Sequence, residues 1–175
     1  QNGSLVAPDR LRFDFAHFEP ITTDELKDIE ALVNAWIRRD DDAEIFETDY
    51  DRAIEMGAMA LFGEKYGDRV RVVRFGGFST ELCGGCHIES TGRIGLFAIT
   101  TEGGVSAGVR RIEAVTGAAA IERMQTQART LQQAADRLRV SPDNVLMRLD
   151  QETDKVRELE RELGRLKQRL ASQAG

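Results

Sequence analysis

Apolar and polar positions change their rhythm several times along this chain, and each change marks an element. Ser4-Leu5-Val6-Ala7 and Leu11-Arg12-Phe13-Asp14-Phe15 flank Pro8-Asp9, and the second run alternates with period two, which predicts a hairpin over residues 4–15. Thr22 with Glu25 three residues on has the form of a capping box. Leu26, Ile29, Leu32, Val33 and Trp36 then recur at helical spacing. A short strand is expected over 43–48 and a second helix from Tyr50 to about Phe62, carried by Ile54, Ala58 and Leu61. From residue 69 the pattern becomes that of strands: 69–73, 78–82, 96–99 and 109–115. Gly76-Gly77, Gly84-Gly85 and Gly103-Gly104 separate them as turns or as places of close approach to the backbone, and Gly117 closes the region.

Beyond Gly117 the grammar is helical. Residues 118–140 contain no Gly or Pro and are rich in Ala, Gln, Arg and Leu. Ser141-Pro142 is expected to stop that helix and start the next, with Ser141 as N-cap and Pro142 at the first helical position. The last helix carries a heptad seam. Leu149, Val156, Leu163 and Leu170 occupy one set of positions, Val145, Leu159 and Leu166 the other, and Glu152 interrupts it. Such a seam fits a coiled coil, a helical hairpin with residues 118–140, or a helix packed on its own domain.

The 175 residues are 41% hydrophobic and 31% charged, so a folded core is expected. A formal charge of −6 argues against nucleic-acid binding by bulk electrostatics, though local basic patches remain open to RNA. No apolar run approaches a membrane span, and no signal pattern opens the chain. The start at Gln1-Asn2-Gly3, without Met, reads as that of a fragment.

The chemical centre is Cys83-Gly84-Gly85-Cys86-His87, which holds both cysteines of the chain. Four readings compete. Cys83 and His87 are ligand types that zinc favours, and the glycines between them let the backbone aim both at one ion. Cys-x-x-Cys-His is also the signature of c-type haem attachment, but here the flanks are strands and no export signal is visible. A dithiol redox pair of the thioredoxin type would need a strand-to-helix setting that the glycines do not predict. The bland reading is two buried cysteines in a glycine turn.

Five blocks in order bear on the choice: Gly3–Val6, Leu11–Phe15, Gly57–Tyr66, Phe78–Gly85 and Ala107–Gly117. Together they resemble the editing domain of bacterial alanyl-tRNA synthetase, and the tail resembles the start of the helical region that follows it. The resemblance implies an α+β fold with a mixed or antiparallel sheet and packed helices, of the threonyl/alanyl-tRNA synthetase editing type. That fold would be followed by a long helical hairpin or coiled coil, dividing the chain into 1–117 and 118–175. It implies a cytoplasmic module that hydrolyses Ser-tRNA(Ala) and Gly-tRNA(Ala), within an alanine-tRNA ligase whose ATP- and Mg2+-dependent chemistry lies outside this chain. In the family, zinc is held by a His-x3-His pair and a Cys-x3-His pair. The second falls on Cys83 and His87, and the first has no counterpart here, so the chain alone is expected to bind zinc weakly and not to catalyse.

Cys86 stands where the family usually has threonine: a neutral replacement, a substitute ligand, or a partner for Cys83 on oxidation. Gln1 matches a family glutamine near the editing pocket, and Gly84 and Gly85 offer backbone amides to an oxyanion or the terminal ribose. Gly103-Gly104 offers the same, or plain turns. Arg12, Arg110 and Arg111 are candidate contacts to acceptor-end phosphates, each equally readable as a salt-bridged arginine. Asp14, Glu81 and Glu113 would orient ligands or pair with those arginines, and His17 reads as a packing residue. The tail offers a route to a homodimer. Two other functions stay open: a free-standing alanyl-tRNA editing hydrolase, and a non-catalytic tRNA-binding or dimerisation piece.

Overall fold

Alternation over Leu11–Phe15 produces the ladder it predicts. In a computed structural model that describes residues 1–60 and 66–173, β1 (Gly3–Val6) and β2 (Leu11–Ala16) pair antiparallel, Val6 opposite Leu11 and Gly3 opposite Asp14. The turn is closed by Ala7 N–H donating to Arg10 O at 2.9 Å, with Pro8 in the position where its fixed φ is already right. The described residues form two units, Gln1–Glu122 and Arg123–Gly175.

Two antiparallel sheets make the first unit. β6 (Phe97–Ser106) and β7 (Val109–Thr116) complete a four-stranded sheet of order β1-β2-β7-β6, while β3 (Ala43–Asp49), β4 (Arg69–Phe75) and β5 (Ser79–Leu82) form a second of order β3-β4-β5. The long helix α1 (Thr23–Arg39) packs on the first sheet, where Ile37 joins Phe97 and Ala114, with Val33, Leu11 and Ile99 around them. The short helix α2 (Tyr50–Glu55) packs on the second, Ala53 against Val70, Val72 and Leu82. The α+β class with antiparallel sheets is thus the observed one.

Local chemistry explains the boundaries of α1. The Thr22 hydroxyl accepts from Glu25 N–H at 3.2 Å, and the Glu25 carboxylate accepts from Thr22 N–H at 2.8 Å: a complete capping box. The helix stops at Asp40, a left-handed residue (φ 55) whose carboxylate accepts from the Ser90 hydroxyl at 2.5 Å and Gly92 N–H at 3.0 Å. A short 3-10 turn, Thr91–Ile94, is thereby fastened to the end of α1, and buried Thr91 donates to Trp36 O at 3.1 Å. Asn34, also buried, exchanges two hydrogen bonds with the Phe97 backbone, at 2.8 and 2.9 Å.

Three expectations are corrected. The second helix ends at Glu55, not near Phe62, because Gly57 takes φ +81 and the chain turns back. Ala58-Met59 then runs beside β5, with Met59 N–H donating to Thr80 O at 2.9 Å and Leu82 N–H to Met59 O at 3.0 Å; residues 61–65 lie outside the described residues. Gly103-Gly104 is not a turn. It lies inside β6 opposite Arg111 and Arg110, beside a bulge between Gly104 and Ser106. Ser141 does not cap an α-helix: Pro142–Asn144 is a 3-10 turn, and the Ser141 hydroxyl accepts from the Asn144 side-chain amide at 2.9 Å.

The second unit is helical. α3 (Gly117–Leu138) begins at Gly117 (φ 57) in the first unit and continues into the second. It closes with Arg139 in the left-handed region, Arg139 N–H donating to Asp136 O and Val140 N–H to Ala135 O, the pattern of a Schellman cap built without glycine. α4 (Val145–Gln173) follows. Val145 is buried, yet the rest of the seam is open: Leu149, Val156, Leu159, Leu163, Leu166 and Leu170 are 45–66% exposed.

Candidate metal centre

β5 delivers the Cys-His segment. Its last residue, Leu82, is buried in the core of the second sheet, so the chain leaves that core at Cys83. Cys83 N–H donates to Arg71 O at 3.2 Å, one step beyond the ladder of β4 with β5. Arg71 then returns the contact. One guanidinium nitrogen donates to Cys83 O at 2.9 Å and to Gly85 O at 2.6 Å, gathering two carbonyls of the loop onto one group. The loop that carries Cys83, Gly84, Gly85, Cys86 and His87 is therefore curled around an arginine of the neighbouring strand.

Neither glycine is demanded by a left-handed backbone. A Cβ on Gly84 would meet nothing within 4 Å, and one on Gly85 would meet the Cys83 sulfur at 3.6 Å. The backbone at Gly84 is thus open to an approaching group, and the Cys83 sulfur lies over Gly85. Both cysteines are free thiols, Cys83 half-buried and Cys86 exposed. His87 has its ring 6.4 Å from that of Phe75, inclined by 46°. Loss of water around the imidazole, helped by the Arg71 cation and opposed by Glu81, holds its pKa below the usual 6.5. Near neutral pH the ring is uncharged, the form that ligates a metal.

As a test of fit to zinc, thiolate and imidazole on one short loop are the right donor types. Their number is not enough. Among the described residues no group of three or more His, Cys, Asp or Glu side chains converges to hold a metal ion, so this loop supplies at most half of a tetrahedral shell.

The other candidates sit on the first sheet. Gln1 is exposed at the start of β1, where Asn2 N–H donates to Asp14 O at 2.7 Å. Arg111 forks onto Asp14 with bonds of 2.7 and 2.8 Å, and Arg12 approaches the same carboxylate at 3.8 Å. The Arg111 guanidinium holds the Asp14 carboxyl below its ordinary range. Arg110 forks in the same way onto Glu102, two side chains that retain only 13% and 8% of their exposure, and holds Glu102 low likewise. Glu113 accepts from the Thr101 hydroxyl at 3.2 Å. Arg110 and Arg111 thus already have carboxylate partners in this sheet.

The residue that sequence reasoning missed is Arg71. Its signal was partial: in Arg69-Val70-Arg71-Val72 the buried valines put both arginines on the face away from the core. Nothing in the pattern announced a partner twelve residues on.

Residues 70–113, from β4 through the Cys-His loop into β7, match the family of the threonyl and alanyl tRNA synthetase second additional domain. Over those residues the chain is similar to that class of domain. Along its whole length it is similar to alanine–tRNA ligases: 57% identical to that of Methylococcus capsulatus over all 175 residues, and 54% to that of Halorhodospira halophila, also over all 175. The enzyme of Xanthomonas campestris is 55% identical over 99% of the chain. The chain spans about a fifth of the length of these curated relatives.

Proposed function

We propose that this chain is the editing segment of an alanine–tRNA ligase, acting on tRNA(Ala) mischarged with serine or glycine through a zinc site to which Cys83 and His87 contribute. The observation that carries the reading is the Cys83–His87 loop itself: a thiol and a neutral imidazole held on one turn by Arg71, inside the segment that matches the synthetase domain. Two further zinc donors are required from outside the described residues. The adenylating chemistry, with ATP and Mg2+, belongs to other parts of such a ligase.

Hydrolysis of an aminoacyl ester needs a placed water and a stabilised oxyanion. Bound zinc would supply Lewis acidity or a water of lowered pKa. The chain's own part is positional. Arg71 fixes the loop backbone, and the uncovered peptide at Gly84 lets a terminal ribose or a developing oxyanion come within hydrogen-bond distance. With Arg110 and Arg111 forked onto carboxylates, Arg12 is the candidate of the three for a phosphate, since its side chain is one-third exposed and meets Asp14 only through Nε at 3.8 Å.

The open seam of α4 favours a second, compatible role in association, with a second copy of the chain as the simplest partner. In a parallel pair Lys155 would face Glu160, and Glu162 would face Lys167. No described helix is long and apolar enough to cross a membrane, and a cytoplasmic setting is proposed with the rest.

In the intact ligase, Cys83→Ala or His87→Ala should abolish deacylation of Ser-tRNA(Ala) and leave alanine activation unchanged. Undiminished deacylation by both variants overturns the reading.

A further inference from the structure

We infer that Cys83 and Cys86 form a dithiol–disulfide couple, which turns the Cys83 thiol from a free donor into an oxidised and non-ligating one. Three features of the loop carry this. The two free thiols are separated only by glycines, so no side chain stands between them. The Cys83 sulfur already lies over Gly85, the residue that leads directly into Cys86. Arg71, by holding the carbonyls of Cys83 and Gly85 on one nitrogen, keeps the intervening backbone curled rather than extended. Closing such a loop costs little chain entropy, and glycine accepts the bond's geometric demands with the least strain.

Access is graded in a useful order. Cys86 is exposed and Cys83 half-buried, so an oxidant meets Cys86 first and Cys83 resolves the adduct from within the same loop. With a small disulfide of the glutathione type as oxidant, Cys86 attacks one of its sulfurs and expels one small thiol. Cys83 then attacks the Cys86 sulfur of the mixed disulfide, expelling the second. One small disulfide is reduced to two thiols, the protein's two thiols are oxidised to one disulfide, and the two thiol protons end on the released thiols. The consequence for metal binding rests on the function proposed above; the couple itself does not.

The chain is well suited to a test because these two cysteines are its only ones. Equilibrated with oxidised glutathione and no metal, the full chain should lose the mass of two hydrogens as a monomer, and a dithiol reductant should restore it. Cys86→Ser should instead gain at most a single glutathione and show no internal bond. A wild-type chain that carries two separate glutathione adducts, or links only to other chains, overturns the couple. A second arm repeats the oxidation in the intact ligase, which would supply the two donors this loop lacks. It runs with and without excess zinc, and follows the Cys83–Cys86 bond by peptide mass. If Cys83 is a metal donor, internal bond formation slows by about tenfold or more, since a metal-held thiolate must first be released. An unaltered rate leaves the couple standing and counts against Cys83 as a donor, so the two ideas fail separately.

Discussion

α1 and α4 are both amphipathic helices with a stripe of aliphatic residues, and they end up in opposite circumstances. On α1 the C-terminal part of the stripe is covered, Ile37 being 4% exposed and packed with Phe97 and Ala114, while Leu32 stays 50% exposed. On α4 Leu163 is 52% exposed, and most of its neighbours in the seam are alike. The pattern specifies which face wants cover, and does not say what covers it. What separates the two is polar fixation. Asn34, Thr91 and Asp40 tie α1 to the strand and turn around it through bonds that bridge more than fifty residues of sequence, whereas the side-chain hydrogen bonds of α4 are to its own residues three or four positions away.

The sharpest way to break the contrast is a cavity under α1. Ile37→Ala removes side-chain volume between α1 and the first sheet and should cost about 2–5 kcal/mol. Trp36, the chain's only tryptophan, sits on the same helix with its ring stacked on Phe78 at 4.5 Å, so denaturant unfolding followed by its fluorescence reads this unit selectively. An unmoved transition would show that the helix is not held by that cluster.

Acid should separate the two regions next. Asp14 and Glu102 are held below their ordinary values of 3.8 and 4.5 by Arg111 and Arg110. A carboxyl whose pKa is lower folded than unfolded stabilises fully above the unfolded value, and that contribution is lost as pH falls through the folded one. The first sheet should therefore keep its stability down to about pH 5 and lose it progressively below pH 4. Asp14→Asn should flatten this dependence when the fluorescence midpoint is measured against pH. An equally steep loss in that variant would assign the acid sensitivity elsewhere.

Much of this was written locally in the chain. The capping box at Thr22, the hairpin around Pro8-Asp9 and the strands of the second sheet were legible because each rests on residues within a few positions of one another. The Cys83–His87 spacing was visible for the same reason, while its use as a metal pair is a proposal. What sequence could not show was decided at long range: Asp14 meets Arg111 across 97 positions, and Arg71 reaches a loop on the next strand. The length of α2 was misjudged because Ala58 keeps helical spacing even though Gly57 has already turned the chain, leaving Ala58 buried in the sheet core instead.

The smallest effect is expected on α4, and it is the most informative about the tail. Leu163→Glu places a charge on a side chain that already faces solvent, so in dilute solution the stability of the first unit should change by no more than about 0.5 kcal/mol. Helix α4 itself has little besides its own backbone bonds to hold it, and helices without a packed face are marginal in water. If a second copy closes the seam, wild-type helicity at 222 nm should rise with protein concentration, and sedimentation should show a dimer that Leu163→Glu abolishes. Concentration-independent helicity in a monomeric wild type would remove the second copy as the partner and leave the seam to another helix. The contrast with α1 would then be one of which partner is present, since both helices carry the same kind of face.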